Sequence, residues 1–315
     1  MKLEGIHHIT AVTADASRNL DFYTRVMGLR LVKKTVNQDD PTVYHLFYAD
    51  EQGSPGADLT FFEYPGAPRG RAGDGMVHRI VWRVASDEAL DFWTQRLADE
   101  GADPRRDAQG DTAGHALRFT DPEGLGHELR VNLSDDAPLI ADSPEVPREL
   151  ALQGFDGVRA YASDPEASRH LIEQGLGFTE LAESKWEVRG EARTGWLAYD
   201  EPPAERGLPS AGTVHHVAFA STMDDHEQWR ERAAEHGARP TPVIDRFWFR
   251  SVYFREPSGV LFEIATIGPG FATDEDLEHL GGKLVLPPRF EPARERIEAA
   301  LTPLESPRKA SAPAE

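Results

Sequence analysis

Two pairs of adjacent histidines and one distant glutamate are the residues of this sequence best suited to bind a metal ion. His7-His8 and His215-His216 lie in strand-like segments, and Glu263 lies in another. Neighbouring side chains of a strand point to opposite faces, so one histidine of each pair can reach a shared cavity. Two imidazoles and a carboxylate form the facial triad that suits Fe(II), although the same ligands could hold Mn(II), Co(II) or Zn(II). The alternative is that these residues are hydrogen-bonded core groups.

Four similar segments predict the elements that position these residues. Strand-like starts at residues 3–10, 76–81, 152–158 and 213–218 are each followed by apolar residues at helical spacing and then by short β-rich runs. This pattern predicts four βαβββ modules and an α+β fold. Two modules make a domain, so we expect domains at residues 1–135 and 151–286, joined by a linker at 136–150. Residues 287–315 form an extension with a short helix near 294–301 and a disordered tail.

Composition excludes several classes of function. The chain has 315 residues, no cysteine and a formal net charge of −20. The absence of cysteine excludes thiolate metal sites and disulfides, and the negative charge argues against nucleic-acid or anionic-membrane partners. We expect a soluble, cytoplasmic protein, because the sequence lacks a secretory signal and a long apolar run. A homodimer is the default expectation for its assembly.

The chain resembles the vicinal oxygen chelate superfamily, which includes glyoxalases and extradiol dioxygenases. Within it, the sequence is similar to the ring-cleaving dioxygenases that act on hydroquinones and chlorohydroquinones. The resemblance covers about residues 1–290 and rests on the following stretches: Gly5-Ile6-His7-His8-Ile9-Thr10, Lys33-Lys34-Thr35-Val36-Asn37, Tyr44-His45-Leu46-Phe47-Tyr48, Val214-His215-His216-Val217, and Tyr253-Phe254-Arg255-Glu256-Pro257 through Glu263. It implies that the four modules form two glyoxalase/bleomycin-resistance/dioxygenase-like domains.

The resemblance also implies a ligand set. His8, His216 and Glu263 match the residues that hold Fe(II) in this subgroup, and Mn(II) is a possible substitute. The second and third modules have Arg79 and Gly157 where a liganding histidine would stand. We therefore expect one metal ion per chain. Glu128, at the offset of Glu263 in the second module, is interpreted as an ion-pair partner of Arg79 or a relic.

Further site residues follow from the same resemblance. Tyr253 and Arg246 match the acid–base tyrosine and the arginine of the subgroup, for which a phenol passes a proton and a guanidinium stabilises an anionic oxygen. His7 and His215 are interpreted as donors that orient the ligands or the substrate, and Thr10 as a hydrogen-bonding residue at the cavity rim. The alternative interpretations have no role in catalysis: Tyr253 would be an aromatic residue of a strand and Arg246 a surface charge. The side chains of His7, His215 and Thr10 would pack in the core. His45 could face the pocket, and Phe247, Trp248 and Phe249 could line it.

These expectations lead to a function and two alternatives. The leading hypothesis is an Fe(II)-dependent, extradiol-type dioxygenase that opens a hydroquinone-like ring with O₂, the ring being bare or substituted. The first alternative is a glyoxalase- or isomerase-like metalloenzyme that does not use O₂, since one fold supports many reactions. The second is a resistance protein that binds a quinone or drug without turnover.

Overall fold

The computed structural model describes residues 1–106 and 115–305 and confirms the α+β fold with four βαβββ modules. The strands are β1 Ile6–Thr13, β2 Arg30–Val36, β3 Tyr44–Ala49, β4 Asp58–Glu63, β5 Val77–Val84, β6 Arg105–Arg106, β7 Ala116–Thr120, β8 Gly126–Val131, β9 Phe155–Tyr161, β10 Thr179–Ala182, β11 Lys185–Arg189, β12 Thr194–Asp200, β13 Val214–Ser221, β14 Ile244–Asp245, β15 Arg250–Arg255 and β16 Leu261–Thr266. Each module contributes four consecutive strands, with its helix after the first.

One helix follows the first strand of each module. These are α1 Ala16–Asp21, α2 Asp87–Asp99, α3 Glu166–His170 and α4 His226–Glu235, and the C-terminal extension adds α5 Arg294–Ala300. The short helix predicted near residues 294–301 is thus confirmed. The tail expected to be disordered lies outside the described residues from 306 onward. Within the described residues, no helix combines the length and the apolarity that crossing a membrane requires.

The strands form two eight-stranded sheets, and their order corrects the predicted pairing of modules. The first sheet has the order β14-β15-β16-β13-β1-β4-β3-β2 and the second β10-β11-β12-β9-β5-β8-β7-β6. The first module therefore shares a sheet with the fourth, and the second with the third. The expectation that consecutive modules share a domain is wrong at the level of the sheets, whereas the linker at residues 136–150 stays a prediction.

The physical reason lies in which strand edges are left open. A single module is half of a curled sheet and exposes the edge of its first strand, which must be paired. β1 pairs antiparallel with β13, and β5 pairs antiparallel with β9. One segment links the first module to the second, and another links the third to the fourth. Both segments cross from one sheet to the other, and they pair with each other at Arg69 and Ala211. Nearness along the chain does not select the partner edge.

Apolar side chains on the outer, helix-covered sides join all four modules in one core. Leu20, Trp93, Ile172 and Trp229 from the four helical regions belong to the same buried cluster. The opposite face of the first sheet carries a smaller buried cluster that includes Phe47, Ala218, Trp248, Phe249 and Phe271. Burial on both faces holds the central strands β1 and β13 in a fixed register, and these are the strands that carry the paired histidines.

Candidate metal centre

The strand register of the first sheet brings the three predicted ligands to one face. His8 on β1 and Glu263 on β16 both lie opposite Ala218 of the intervening β13. His216 precedes Ala218 by two residues and therefore projects from the same face. The methyl side chain of Ala218 leaves the space between the two flanking residues open. The structure thus places His8, His216 and Glu263 together, as the sequence predicts.

The three side chains converge on a single buried point. Glu263 Oε2 lies 2.8 Å from His216 Nε2 and 3.1 Å from His8 Nε2, and the two imidazole nitrogens are 3.2 Å apart. All three residues are buried, and within the described residues no other group of three histidine or carboxylate side chains meets at a comparable spacing. Ligands at adjacent corners of an octahedron with bonds of ~2.1 Å are separated by about 3 Å. The spacing therefore fits a facial set of metal ligands.

The chemistry of the donor atoms also fits a cation. Although Glu263 Oε2 is close to both imidazoles, neither oxygen of Glu263 accepts a well-aligned hydrogen bond from the described residues. Burial alone would raise the pKa of Glu263, but His8 and His216 hold that pKa well below its usual value. An ionised carboxylate in a buried site is costly unless a positive charge compensates it. A divalent metal ion held by His8, His216 and Glu263 would supply that compensation.

Each histidine pair lies at a β-bulge, which the sequence pattern did not indicate. The register of β1 and β13 gains one residue between Ile6 and His8 on β1, and one between Val214 and His216 on β13. A bulge redirects side chains and breaks strict alternation. The rings of His7 and His8 consequently both contact Phe249, with centroid distances of 5.5 and 5.3 Å. The expectation that the two histidines of a pair point to opposite faces is thereby corrected for the first pair, whereas only His8 of that pair lines the cavity, as expected.

The bulges bring the other histidine of each pair, His7 or His215, into contact with the predicted ligand next to it. His7 Nδ1 lies 3.0 Å from His8 Nδ1, and His215 Nδ1 lies 2.7 Å from His216 Nδ1. His7 Nε2 also lies 3.1 Å from the carbonyl oxygen of Thr266. Burial, as the main cause, lowers the pKa of His7 to about 3 and that of His215 to about 4. Both residues are therefore neutral and each can accept a hydrogen bond from its neighbour's Nδ1–H.

Tyr253 and Arg246 lie beside the ligand cluster. Tyr253 on β15 is opposite Glu263 in the ladder, and its ring is 5.6 Å from that of His216. The guanidinium carbon of Arg246 lies 5.5 Å from the centre of the Tyr253 ring. Burial raises the pKa of Tyr253, the charge of Glu263 raises it further, and Arg246 opposes the rise. Tyr253 therefore remains protonated at neutral pH.

A chain of hydrogen bonds connects Thr10 to His45. Thr10 is fully buried, and its Oγ1 lies 2.8 Å from Thr60 Oγ1, which in turn lies 2.9 Å from His45 Nε2. Burial holds the pKa of His45 well below its usual value, so this imidazole is neutral. His45 faces the cavity next to the ligands, as its sequence position allowed.

The cavity in front of the ligands is small. Its volume is about 30 Å³, and strand residues as well as the segments around Asp39 and Arg246 line it. Of the predicted aromatic residues, Trp248 and Phe249 line the cavity. Asn37, Gln38 and Asp39 also line it, and sequence reasoning missed Gln38 and Asp39. Asn37 ends the Lys-Lys-Thr-Val-Asn motif, so the motif pointed to this loop without indicating its role.

The second sheet keeps the architecture of the site without its ligands. Arg79 Nη1 lies 3.2 Å from Glu128 Oε2, which confirms the predicted ion pair. Trp196 lies opposite Gly157 in the ladder, and a Cβ on Gly157 would come within 2.2 Å of the indole. The space that a histidine would need is therefore filled by Trp196. The described part of the second sheet has no counterpart of the first sheet's cluster.

Comparison with known proteins finds relatives along nearly the whole chain. The profile of the Glyoxalase/Bleomycin resistance protein/Dioxygenase superfamily matches residues 5–129 and 154–264. The chain is 40% identical to "Putative ring-cleaving dioxygenase MhqA" of Bacillus subtilis, with 97% of this chain and 100% of that protein covered. It is 29% identical to the "Chlorohydroquinone/hydroquinone 1,2-dioxygenase" of Sphingobium indicum, with 94% and 95% covered. A crystal structure described as a "putative dioxygenase" from Bacillus subtilis superposes with a TM-score of 0.89 at 38% identity, covering 98% of this chain and 99% of that one.

Proposed function

The chain belongs to the Glyoxalase/Bleomycin resistance protein/Dioxygenase superfamily, and on that premise we propose that it is an Fe(II)-dependent, extradiol-type ring-cleaving dioxygenase acting on a hydroquinone-like ring. The observation that carries the proposal is the buried convergence of His8, His216 and Glu263 on one point. Two imidazoles and one carboxylate on one side of an ion leave the opposite positions free for substrate and O₂. The similarity to proteins described as a putative ring-cleaving dioxygenase and a hydroquinone dioxygenase supports the same reaction class.

The proposed cofactor defines what the protein must supply around it. Bound Fe(II) would supply adjacent coordination positions for the substrate oxygen and O₂, and Mn(II) could occupy the same ligands. His8, His216 and Glu263 would hold the ion. The remaining residues would position the ring, move a proton and stabilise negative charge.

Tyr253 is proposed as the proton donor of the site. Its phenol is protonated at neutral pH because burial raises its pKa. A protonated phenol next to the ligand cluster can donate a hydrogen bond, and then a proton, to an oxygen of the reacting substrate. Arg246, which lies over the Tyr253 ring, is proposed to stabilise the negative charge that develops on oxygen during ring opening.

His7 and His215 are proposed to fix the orientation of the ligand imidazoles. A ligand that uses Nε2 carries its proton on Nδ1, which then donates to the neutral neighbour. In the first pair the chain of hydrogen bonds continues to the backbone, because His7 Nε2–H donates to the carbonyl oxygen of Thr266. Thr10 is proposed to orient His45 indirectly, because Thr10 is hydrogen-bonded to Thr60 and Thr60 to His45.

Replacement of His7 by alanine is expected to weaken metal binding by ~10–100-fold, because the Nδ1–H of His8 loses its acceptor. The measurement is titration of the metal-free protein with Mn(II). His78→Ala is the matched control, since His78 occupies the equivalent bulge of the second sheet next to Arg79. Unchanged Mn(II) affinity in His7→Ala would contradict the orienting role, and so would an equal loss in the control.

The reaction itself can be tested with plain hydroquinone. Protein reconstituted anaerobically with Fe(II) is expected to consume one O₂ per hydroquinone, with loss of the aromatic absorbance, when air is admitted. The same protein loaded with Zn(II), which does not change oxidation state, is expected to consume none. Conversion of substrate in the absence of O₂ would favour the glyoxalase- or isomerase-like alternative. Binding of hydroquinone without any conversion would favour a binding protein.

A further inference from the structure

The cavity in front of the ligands is too small for the proposed substrate. About 30 Å³ of the cavity is open to the centres of water molecules, which is room for roughly two or three waters, and an aromatic ring with two oxygens needs more. One wall must therefore move before a ring can reach the ligands. This inference rests on the proposed function, because it concerns how the substrate of that site enters.

The walls differ in how firmly they are held. His8, His216, Phe47 and Phe62 lie on central strands, where backbone ladders on both sides fix them. The loop of residues 37–42, between β2 and β3, closes the remaining side, and we call it the lid. Inside the lid, the backbone N–H of Asp39 donates to Asn37 Oδ1 and Asp40 Oδ1 accepts from Thr42. These bonds hold the lid together as one compact turn.

The described side-chain bonds between the lid and the opposite wall involve few groups. Arg246 Nη1 and Nη2 donate to the two carboxylate oxygens of Asp39 at 3.1 and 2.9 Å. Gln38 Nε2 donates to the carbonyl oxygen of Arg246 at 2.7 Å, and Arg289 donates to Gln38 Oε1 at 2.8 Å. Of these bonds, the two between Asp39 and Arg246 join oppositely charged side chains. The Asp39 side chain is 72% exposed whereas that of Arg246 is 13% exposed, so water can replace the arginine at Asp39 when the pair opens.

We propose that Asp39 is the latch of the lid and a positioning residue for Arg246 in the resting enzyme, and that the entering substrate displaces Asp39 from the guanidinium. The bidentate pair occupies the donors that Arg246 would otherwise offer to a substrate oxygen. Because the Asp39 side of the pair is exposed to water, the pair can open without loss of the fold. The latch keeps the ligands shielded from water until a ring with a hydrogen-bonding oxygen competes for Arg246.

The test compares Asp39→Asn with Asp40→Asn in Fe(II)-loaded protein kept under anaerobic conditions. Both changes remove one carboxylate charge from the lid, but the Asp40 carboxylate accepts from Thr42 within the lid and makes no bond to Arg246 among those described. Asp39→Asn is expected to speed hydrogen exchange in the peptide that spans residues 37–43. It is also expected to raise the rate constant of hydroquinone association, followed by tryptophan fluorescence, at least threefold. Asp40→Asn is expected to leave the association rate constant within twofold.

Salt and turnover give independent readouts. Hydroquinone is neutral, so an effect of NaCl on its association reports the protein's own ion pairs. Molar salt is expected to speed association to the wild-type protein and to leave Asp39→Asn unchanged. In turnover, Asp39→Asn is expected to lower KM about threefold with kcat unchanged, because Asp39 has left Arg246 before the ring is opened. A residue with a purely structural role would not separate KM from kcat in this way.

The outcomes distinguish failure of the latch from failure of the proposed function. Unchanged lid exchange in Asp39→Asn, or faster exchange with an unchanged association rate constant, would overturn the latch. A fall in kcat would also overturn it, since Asp39 would then act on Arg246 during the reaction. If none of the three proteins binds hydroquinone while Asp39→Asn alone speeds lid exchange, the substrate is wrong and the latch is supported.

Discussion

Glu263→Gln is expected to retain less than a tenth of the wild-type iron after reconstitution and to show no hydroquinone-dependent O₂ uptake. Glu263 is fully buried, and its carboxylate supplies the negative charge of the ligand cluster. Glutamine has the same shape without that charge, so two neutral imidazoles would have to hold a divalent ion in a buried site. Metal analysis measures the first effect, and an oxygen electrode the second.

A thermal shift separates loss of the site from loss of the fold. A ligand that binds only the folded state stabilises it, by ~2.7 kcal/mol when its concentration is 100 times Kd. Mn(II) is therefore expected to raise the Tm of the wild-type protein and not that of Glu263→Gln. Glu128→Gln is the control, because Glu128 has the same offset in the second sheet and pairs with Arg79. Metal retained by Glu263→Gln, or lost from Glu128→Gln, would contradict the assignment.

The fold could be predicted as far as it is encoded locally. Helical and strand-like spacing recurs in each repeat, and it correctly gave four modules with one helix each. The pairing of the modules is a long-range property: β1 meets β13 across more than 200 residues, and both edges look equally open in the sequence. The ligand types and offsets were nevertheless predictable, because His8, His216 and Glu263 stand at equivalent offsets in similar modules, but the three meet only because the first module shares a sheet with the fourth.

The parts of the site that escaped prediction depend on backbone irregularity and on loops. Strict alternation predicts that the two histidines of a pair point to opposite faces, whereas a bulge at His7 turns it toward His8. A bulge has no fixed residue signature in a strand of this composition. Asp39 lies in a polar loop of ordinary composition, and its partner Arg246 is more than 200 residues away. Only the folded chain shows that the two residues meet over the cavity.

Tyr253→Phe is expected to lower kcat by ~10²–10⁴-fold while the iron content stays at the wild-type level. The change removes only the phenol oxygen, and the ring next to His216 remains. Because burial keeps the pKa of Tyr253 above its usual value, the residue is protonated throughout the neutral range and its loss is the loss of a proton donor. The expected decrease is therefore of similar size at pH 6 and at pH 8. Single-turnover O₂ uptake with hydroquinone already bound measures the chemical step directly.

Tyr161→Phe provides the matched control for the loss of a phenol. Tyr161 ends β9 in the second sheet and stacks on His78 with a centroid distance of 3.9 Å, away from the ligand cluster. Its replacement is expected to leave kcat, KM and iron content unchanged. Loss of iron in Tyr253→Phe would show that the phenol supports the ligands and does not donate a proton. A decrease confined to high pH would show that the group acts as a base, because only the ionised phenol accepts a proton and that form is populated only at high pH.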